Sequence, residues 1–133
     1  MDQKKKLEFS LLLLRLGVFI VMFMWTIDKI MRPEHSAAVF EKFYFISGFG
    51  TEITIALGVL ELVIIIGFLL GLYKTWTYGL VLLFHFISTI STFNQYLSPF
   101  EGTNLLFFAA WPMLAACICL FLMRKQDRML SVT

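Results

Sequence analysis

The stretch Ala56-Leu57-Gly58-Val59-Leu60-Glu61-Leu62-Val63-Ile64-Ile65-Ile66-Gly67 decides the fold. It is an apolar run long enough to enter a bilayer, and it carries one carboxylate, Glu61, near its middle. A charged side chain at mid-bilayer costs roughly 2.5 to 3.5 kcal/mol on insertion scales, so acids in such segments face a partner, a polar cavity or a ligand. Two further ionisable residues, Arg15 and His85, interrupt other apolar runs and invite the same question.

Working outward, the whole chain shares this character. Of its 133 residues 59% are hydrophobic and only 15% charged, and the mean hydropathy is +0.84. Soluble domains are less apolar and more charged than this. Four runs, at about 7–30, 53–73, 76–96 and 103–123, approach or exceed the roughly 20 residues that cross about 30 Å of hydrocarbon. These predict a single domain over 1–133, an all-α bundle of four transmembrane helices. Lys4, Lys5 and Lys6 precede an apolar run that lacks a small-residue cleavage site, so the first run reads as a retained helix rather than a signal peptide.

Basic residues set the orientation. Lys4, Lys5, Lys6, Lys74, Arg124, Lys125 and Arg128 fall on one side, against Lys29, Arg32 and Lys42 on the other. Positive flanks stay inside, which predicts both termini in the cytoplasm and, for a bacterial chain, residence in the inner membrane. The net charge of +2 is too small to imply nucleic acid, and the basic clusters sit where they touch lipid headgroups.

Taken in order, the first helix places Arg15, Met22, Thr26 and Lys29 on one face, with Trp25 an aromatic anchor beside the boundary residues Asp28 and Lys29. Arg15 either snorkels to the headgroups or turns inward to a partner. Between the first two runs, Phe40, Phe43 and Tyr44 repeat at helical spacing, predicting a short amphipathic helix in the outer interface: a shield for the bundle end or a lid. Gly67-Phe68-Leu69-Leu70-Gly71 is a G-x-x-x-G pattern, a weak sign of close helix packing. The tight Tyr73-Lys74-Thr75 connection makes the second and third helices antiparallel neighbours.

The third run carries the strongest polar pattern. His85, Ser88, Thr89, Thr92 and Tyr96 form one helical face, widened by Ser91, Asn94 and Gln95. Ser and Thr satisfy themselves by bonding the carbonyl one turn back, so the stripe reads either as interhelical glue or as the wall of a polar site. In the fourth run Pro112 predicts a kink or an available carbonyl. Cys117 and Cys119, two apart on a helix, make a poor disulfide pair and read as buried small residues.

At about 1.5 Å per residue, Arg15, Glu61 and His85 fall roughly 12, 18 and 15 Å from the cytoplasmic ends of their runs. That arithmetic predicts one layer in which Arg15 holds Glu61 ionised and Glu61 or a ligand sets the His85 tautomer. The candidate ligand-binding or proton-relay set is Arg15, Glu61, His85, Ser88, Thr89 and Thr92. No metal-ligand pair, P-loop, dinucleotide fingerprint or hydrolase motif is present, and no independent catalytic motif supports an enzyme.

Arg15-Leu16-Gly17 followed by Lys29, then Gly58-x-x-Glu61 with Gly67 and Gly71, over four compact helices, resembles the DoxX-like family of small membrane proteins across nearly the whole chain. Thr26 stands where that family usually has a glycine. The resemblance implies a four-helix bundle and a range of roles: subunits of thiosulfate:quinone oxidoreductases, partners of periplasmic thiol or metal stress systems and, in eukaryotic relatives, assembly chaperones or cargo receptors. Three function classes follow. In the first, His85 and Glu61 hydrogen-bond a quinone headgroup in a redox or stress-response subunit. The second is a non-catalytic assembly partner for another membrane or periplasmic protein. The third is a proton-linked small-solute carrier, disfavoured because four helices without an internal repeat would have to homo-oligomerise to alternate access.

Overall fold

The computed structural model of the protein describes residues 1–44 and 50–133, leaving aside the side chains of residues 36, 37, 40, 43, 44 and 51. The described chain is all-helical. Its elements are α1 (Gln3–Met31), α2 (Pro33–Tyr44), α3 (Thr51–Leu70), α4 (Lys74–Ser91), α5 (Phe93–Leu97), a 3-10 segment (Asn104–Ala109) and α6 (Ala110–Leu122). Among the described residues, three stretches are long and apolar enough to cross a membrane: Gln3–Met31, Glu52–Leu70 and Asn104–Leu122. The third predicted run, α4, is diluted by His85, Ser88, Thr89 and Ser91 and is not one of them.

α1 starts where the Asp2 carboxylate accepts from the Lys5 amide at 2.8 Å, satisfying one of the donors a helix start leaves open. It ends at Arg32 because Pro33 disfavours a helical residue before it, while Pro33 itself suits the first turn of α2. Twenty-nine residues make α1 about 43 Å long, more than a bilayer core needs, so part of it projects beyond the other helices.

α3 ends three residues earlier than the predicted 53–73 run. Gly71 adopts φ +74°, and its amide and that of Leu72 turn back to the Gly67 and Phe68 carbonyls. The G-x-x-x-G pattern is therefore two devices rather than one packing face. A Cβ on Gly67 would lie 3.1 Å from Thr77 Cγ2 across the hairpin, whereas Gly71 stops the helix.

The predicted 76–96 helix is broken. Ser91 and Thr92 donate to the Ile87 and Thr89 carbonyls at 2.7 and 3.1 Å, and Thr92 leaves helical geometry, so α4 stops and the five-residue α5 follows. The predicted 103–123 helix likewise opens as the 3-10 segment. Pro112 falls in the first turn of α6, where a missing N–H breaks no bond, so it marks a helix start rather than a mid-helix kink.

α1 packs along α3, α3 and α4 form an antiparallel hairpin, and α4 packs along α6. α1 meets α6 over a shorter stretch and makes no backbone approach to α4, which leaves a cleft between them. α2 crosses above, touching α1, α3 and α4; the aromatic face expected from Phe40, Phe43 and Tyr44 lies outside the described side chains. The dry core, with Leu11, Val18, Ile65, Phe68, Tyr78, Val81, Cys117 and Leu120, fills the end near the basic residues. Cys117 is buried there as a free thiol, and Cys119 is partly buried.

Candidate ligand cavity and the charged layer

The register of α1 against α3 decides which charges meet across the two helices, and Gly58 sets that register. A Cβ at position 58 would lie 2.8 Å from Ile30 Cγ1 and 3.2 Å from Lys29 Cβ, so the missing side chain is what lets the two backbones come together. One turn further on, Glu61 accepts from Lys29 Nζ at 2.9 Å and from Thr26 Oγ1 at 3.3 Å. The pair is only 16% and 18% exposed, so the low dielectric around it strengthens the attraction. Two charges that would each be costly in hydrocarbon compensate one another.

This corrects the predicted Arg15–Glu61–His85 cluster. Arg15 lies fourteen residues before Lys29 on α1, about 21 Å along the axis, and is level with the end of α3 rather than with Glu61. Counting depth from the start of the apolar run failed because the first turns of α1 project past the α3–α4 turn. The hairpin arithmetic held for the other two residues. Gly67 faces Thr77 and Phe68 packs on Tyr78 with ring centroids 4.8 Å apart, which puts Glu61 and His85 at one depth. Lys29, read from sequence as a boundary residue, is the cation of this layer. The signal was there: it shares a helical face with Thr26, and Glu61 needed a cation at its own level.

Arg15 has a different partner. After α6 the segment 123–133 folds back across the bundle end, and Asp127, fully buried, sets its Oδ2 3.6 Å from Arg15 Nη1. Arg15 Nη2 also donates to the Met129 and Leu130 carbonyls. The Tyr78 hydroxyl donates to Asp127 at 2.5 Å, Lys74 Nζ donates to the Asp127 and Thr133 carbonyls, and the Val132 amide donates to Leu70 O at 2.7 Å. The strap thus ties α1, α3 and α4 together. Burial pushes the Lys74 ammonium below its usual range, and Arg15 and Arg128 push the same way, while Asp127 partly opposes them. Sequence reading took Arg124, Lys125 and Arg128 as topology markers and passed over Asp127, the one acid among them.

His85 Nε2 lies 2.9 Å from the Ala110 carbonyl at the start of α6. A carbonyl only accepts, so Nε2 carries the proton, and in the neutral ring Nδ1 is left as an acceptor. Neither a nearby carboxylate nor Glu61 sets that tautomer. Three members of the stripe are satisfied by their own helix, since Thr89 donates to His85 O at 2.8 Å and Ser91 and Thr92 are bonded to backbone as described above, whereas the buried Gln95 Oε1 and Tyr96 hydroxyl have no hydrogen-bond partner among the described residues.

The cleft between α1 and the α4–α6 pair is a cavity of about 1230 Å³. Its walls are mostly apolar, from Leu13, Val18, Met22, Phe84, Ile87 and Met113 among others, with Trp25 on one side. Lys29, Glu61, His85, Ser88 and Thr92 also line it; Arg15 and Thr89 do not. Of the six residues singled out by sequence, the fold gathers Glu61, His85, Ser88 and Thr92 around one space and adds Lys29. No group of three His, Cys, Asp or Glu that could hold a metal occurs among the described residues. The chain matches no family model, no curated protein and no solved structure.

Proposed function

We propose that this is a four-helix integral membrane protein of DoxX-like type, with α4 and α5 as the remaining crossing and α2 in the outer interface. Both chain ends lie in the cytoplasm in this reading, and a bacterial inner membrane is the home that the basic flanks favour. Its cavity holds the headgroup of a lipid-soluble ligand, a quinone or its reduced form, and it serves as a small subunit of a quinone-linked redox or stress-response system alongside another membrane or periplasmic protein. The observation that carries this reading is the cavity itself: an apolar space of about 1230 Å³ with Lys29–Glu61 and His85 at one depth. Ligand sites of this kind bury an apolar body and orient it by a few polar groups. Lys29 Nζ is a donor and His85 Nδ1 an acceptor, which suits an oxygen-bearing ring.

The test is purification in mild detergent followed by mass spectrometry of the extract, comparing the natural chain with Glu61→Gln and His85→Ala variants shown to be equally folded. A quinone or hydroquinone retained by the natural chain and lost from both variants is the expected result. Bulk lipid alone in the natural chain overturns the reading and turns attention to whichever membrane protein co-purifies.

A further inference from the structure

We infer that His85 makes the cavity selective for a headgroup that donates a hydrogen bond, such as a hydroquinone, phenol or alcohol, over one that only accepts, such as the matching quinone. This rests on the ligand reading above and goes further, because it names the hydrogen-bonding sense of the ligand and the residue that enforces it.

The inference follows from where the His85, Ser91 and Thr92 donors on the α4 wall have gone. The His85 Nε2 proton is committed to Ala110 O. The hydroxyl protons of Ser91 and Thr92 are committed to the carbonyls of Ile87 and Thr89. Nδ1 makes no hydrogen bond among the described residues, and it belongs to a ring that lines the cavity at the depth of Glu61. Across the layer, Glu61 Oε2 is held by Lys29 and Thr26, while Oε1 has no hydrogen-bond partner among the described residues and is a second acceptor. A hydroxyl placed beside His85 donates to Nδ1. A quinone oxygen in the same place sets its lone pairs against that of Nδ1. A site shaped to receive a hydroxyl rejects the analogue that lacks it, since the buried acceptor is then left unpaired. Ala110 O serves as the positioning group: it fixes the tautomer, as an outer partner does for a metal-bound histidine.

The experiment compares a short-tailed hydroquinone with its quinone, at equal tail length and without oxygen. Binding to the protein in nanodiscs is followed by equilibrium dialysis at pH 8, with 15N-labelled histidine read in parallel by NMR. The hydroquinone is expected to bind about ten- to a hundredfold more tightly. His85→Leu brings the two affinities together by weakening the hydroquinone. In the natural chain the His85 signal reads as protonated on Nε2 and bare on Nδ1, and Nδ1 shifts when hydroquinone is added but not quinone. This NMR readout stands whether or not His85→Leu folds. Equal or tighter quinone binding, or a proton on Nδ1, overturns the selectivity while leaving a ligand cavity in place. Binding of neither compound removes the ligand reading and this inference with it.

Discussion

Replacing Asp127 by Ala is expected to be among the most damaging single changes in the protein. Arg15 and Asp127 are both fully buried, so the substitution leaves a guanidinium without its counter-charge and the Tyr78 hydroxyl without its acceptor. Breaking a buried ion pair from one side costs about 3–5 kcal/mol, and the lost Tyr78 bond overlaps with that figure rather than adding to it. A loss of about 4 kcal/mol is a large share of the roughly 5–15 kcal/mol that holds a typical domain together. Removing both charges, as in Arg15→Met with Asp127→Leu, relieves the uncompensated charge. It still orphans the Tyr78 hydroxyl and the Met129 and Leu130 carbonyls, at about 1–3 kcal/mol for each that stays buried, so the relief of charge is expected to show as a double variant less damaged than the sum of its two singles. The assay is unfolding by SDS titration in mixed micelles, followed by tryptophan fluorescence, as a double-mutant cycle. An Asp127→Ala variant within about 1 kcal/mol of the natural chain, or a double variant whose loss equals the sum of the two singles, refutes the reasoning.

Two further outcomes follow from local geometry. Gly58→Ala puts a methyl group 2.8 Å from Ile30 Cγ1 and is expected to cost about 1–3 kcal/mol in the same titration; Ile30→Ala in the same chain recovers part of the loss by vacating that space. Lys74 titrates below the ordinary 10.5 because it is buried, so between its lowered value and 10.5 the unfolded chain binds the extra proton and stability rises with pH. NMR of the labelled lysine is expected to show that lowered titration, and Asp127→Asn lowers it further because the opposing carboxylate is gone.

The helices were legible because an apolar run about twenty residues long has few alternatives. The shared depth of Glu61 and His85 was legible too, because a tight turn leaves an antiparallel hairpin little choice of register. Nothing comparable ties α1 to α3. Their connection is long, and their register is set by one missing side chain at Gly58, whose effect exists only once Ile30 and Lys29 are packed against it. Hence Arg15 was assigned the wrong partner and Lys29 none. The break at Thr92 turns on a competition between side-chain and main-chain hydrogen bonds that the spacing of Ser and Thr raises without deciding. Gly71 shows the same ambiguity, since a glycine spaced four from another serves equally as a packing surface or as a left-handed stop.

The strap also orders events in time. Arg15 reaches across 114 positions to the Met129 carbonyl, so at about 5–20 residues per second a ribosome delivers this acceptor roughly 6–23 s after Arg15 itself. For that interval Arg15 has neither Asp127 nor the strap carbonyls for partners, and the α3–α4 turn lacks the strap bonds at Leu70 and Lys74. Closure of this end of the bundle is therefore a late event in biogenesis. A nascent chain halted before Asp127 emerges has its long helices complete but not their common fastening.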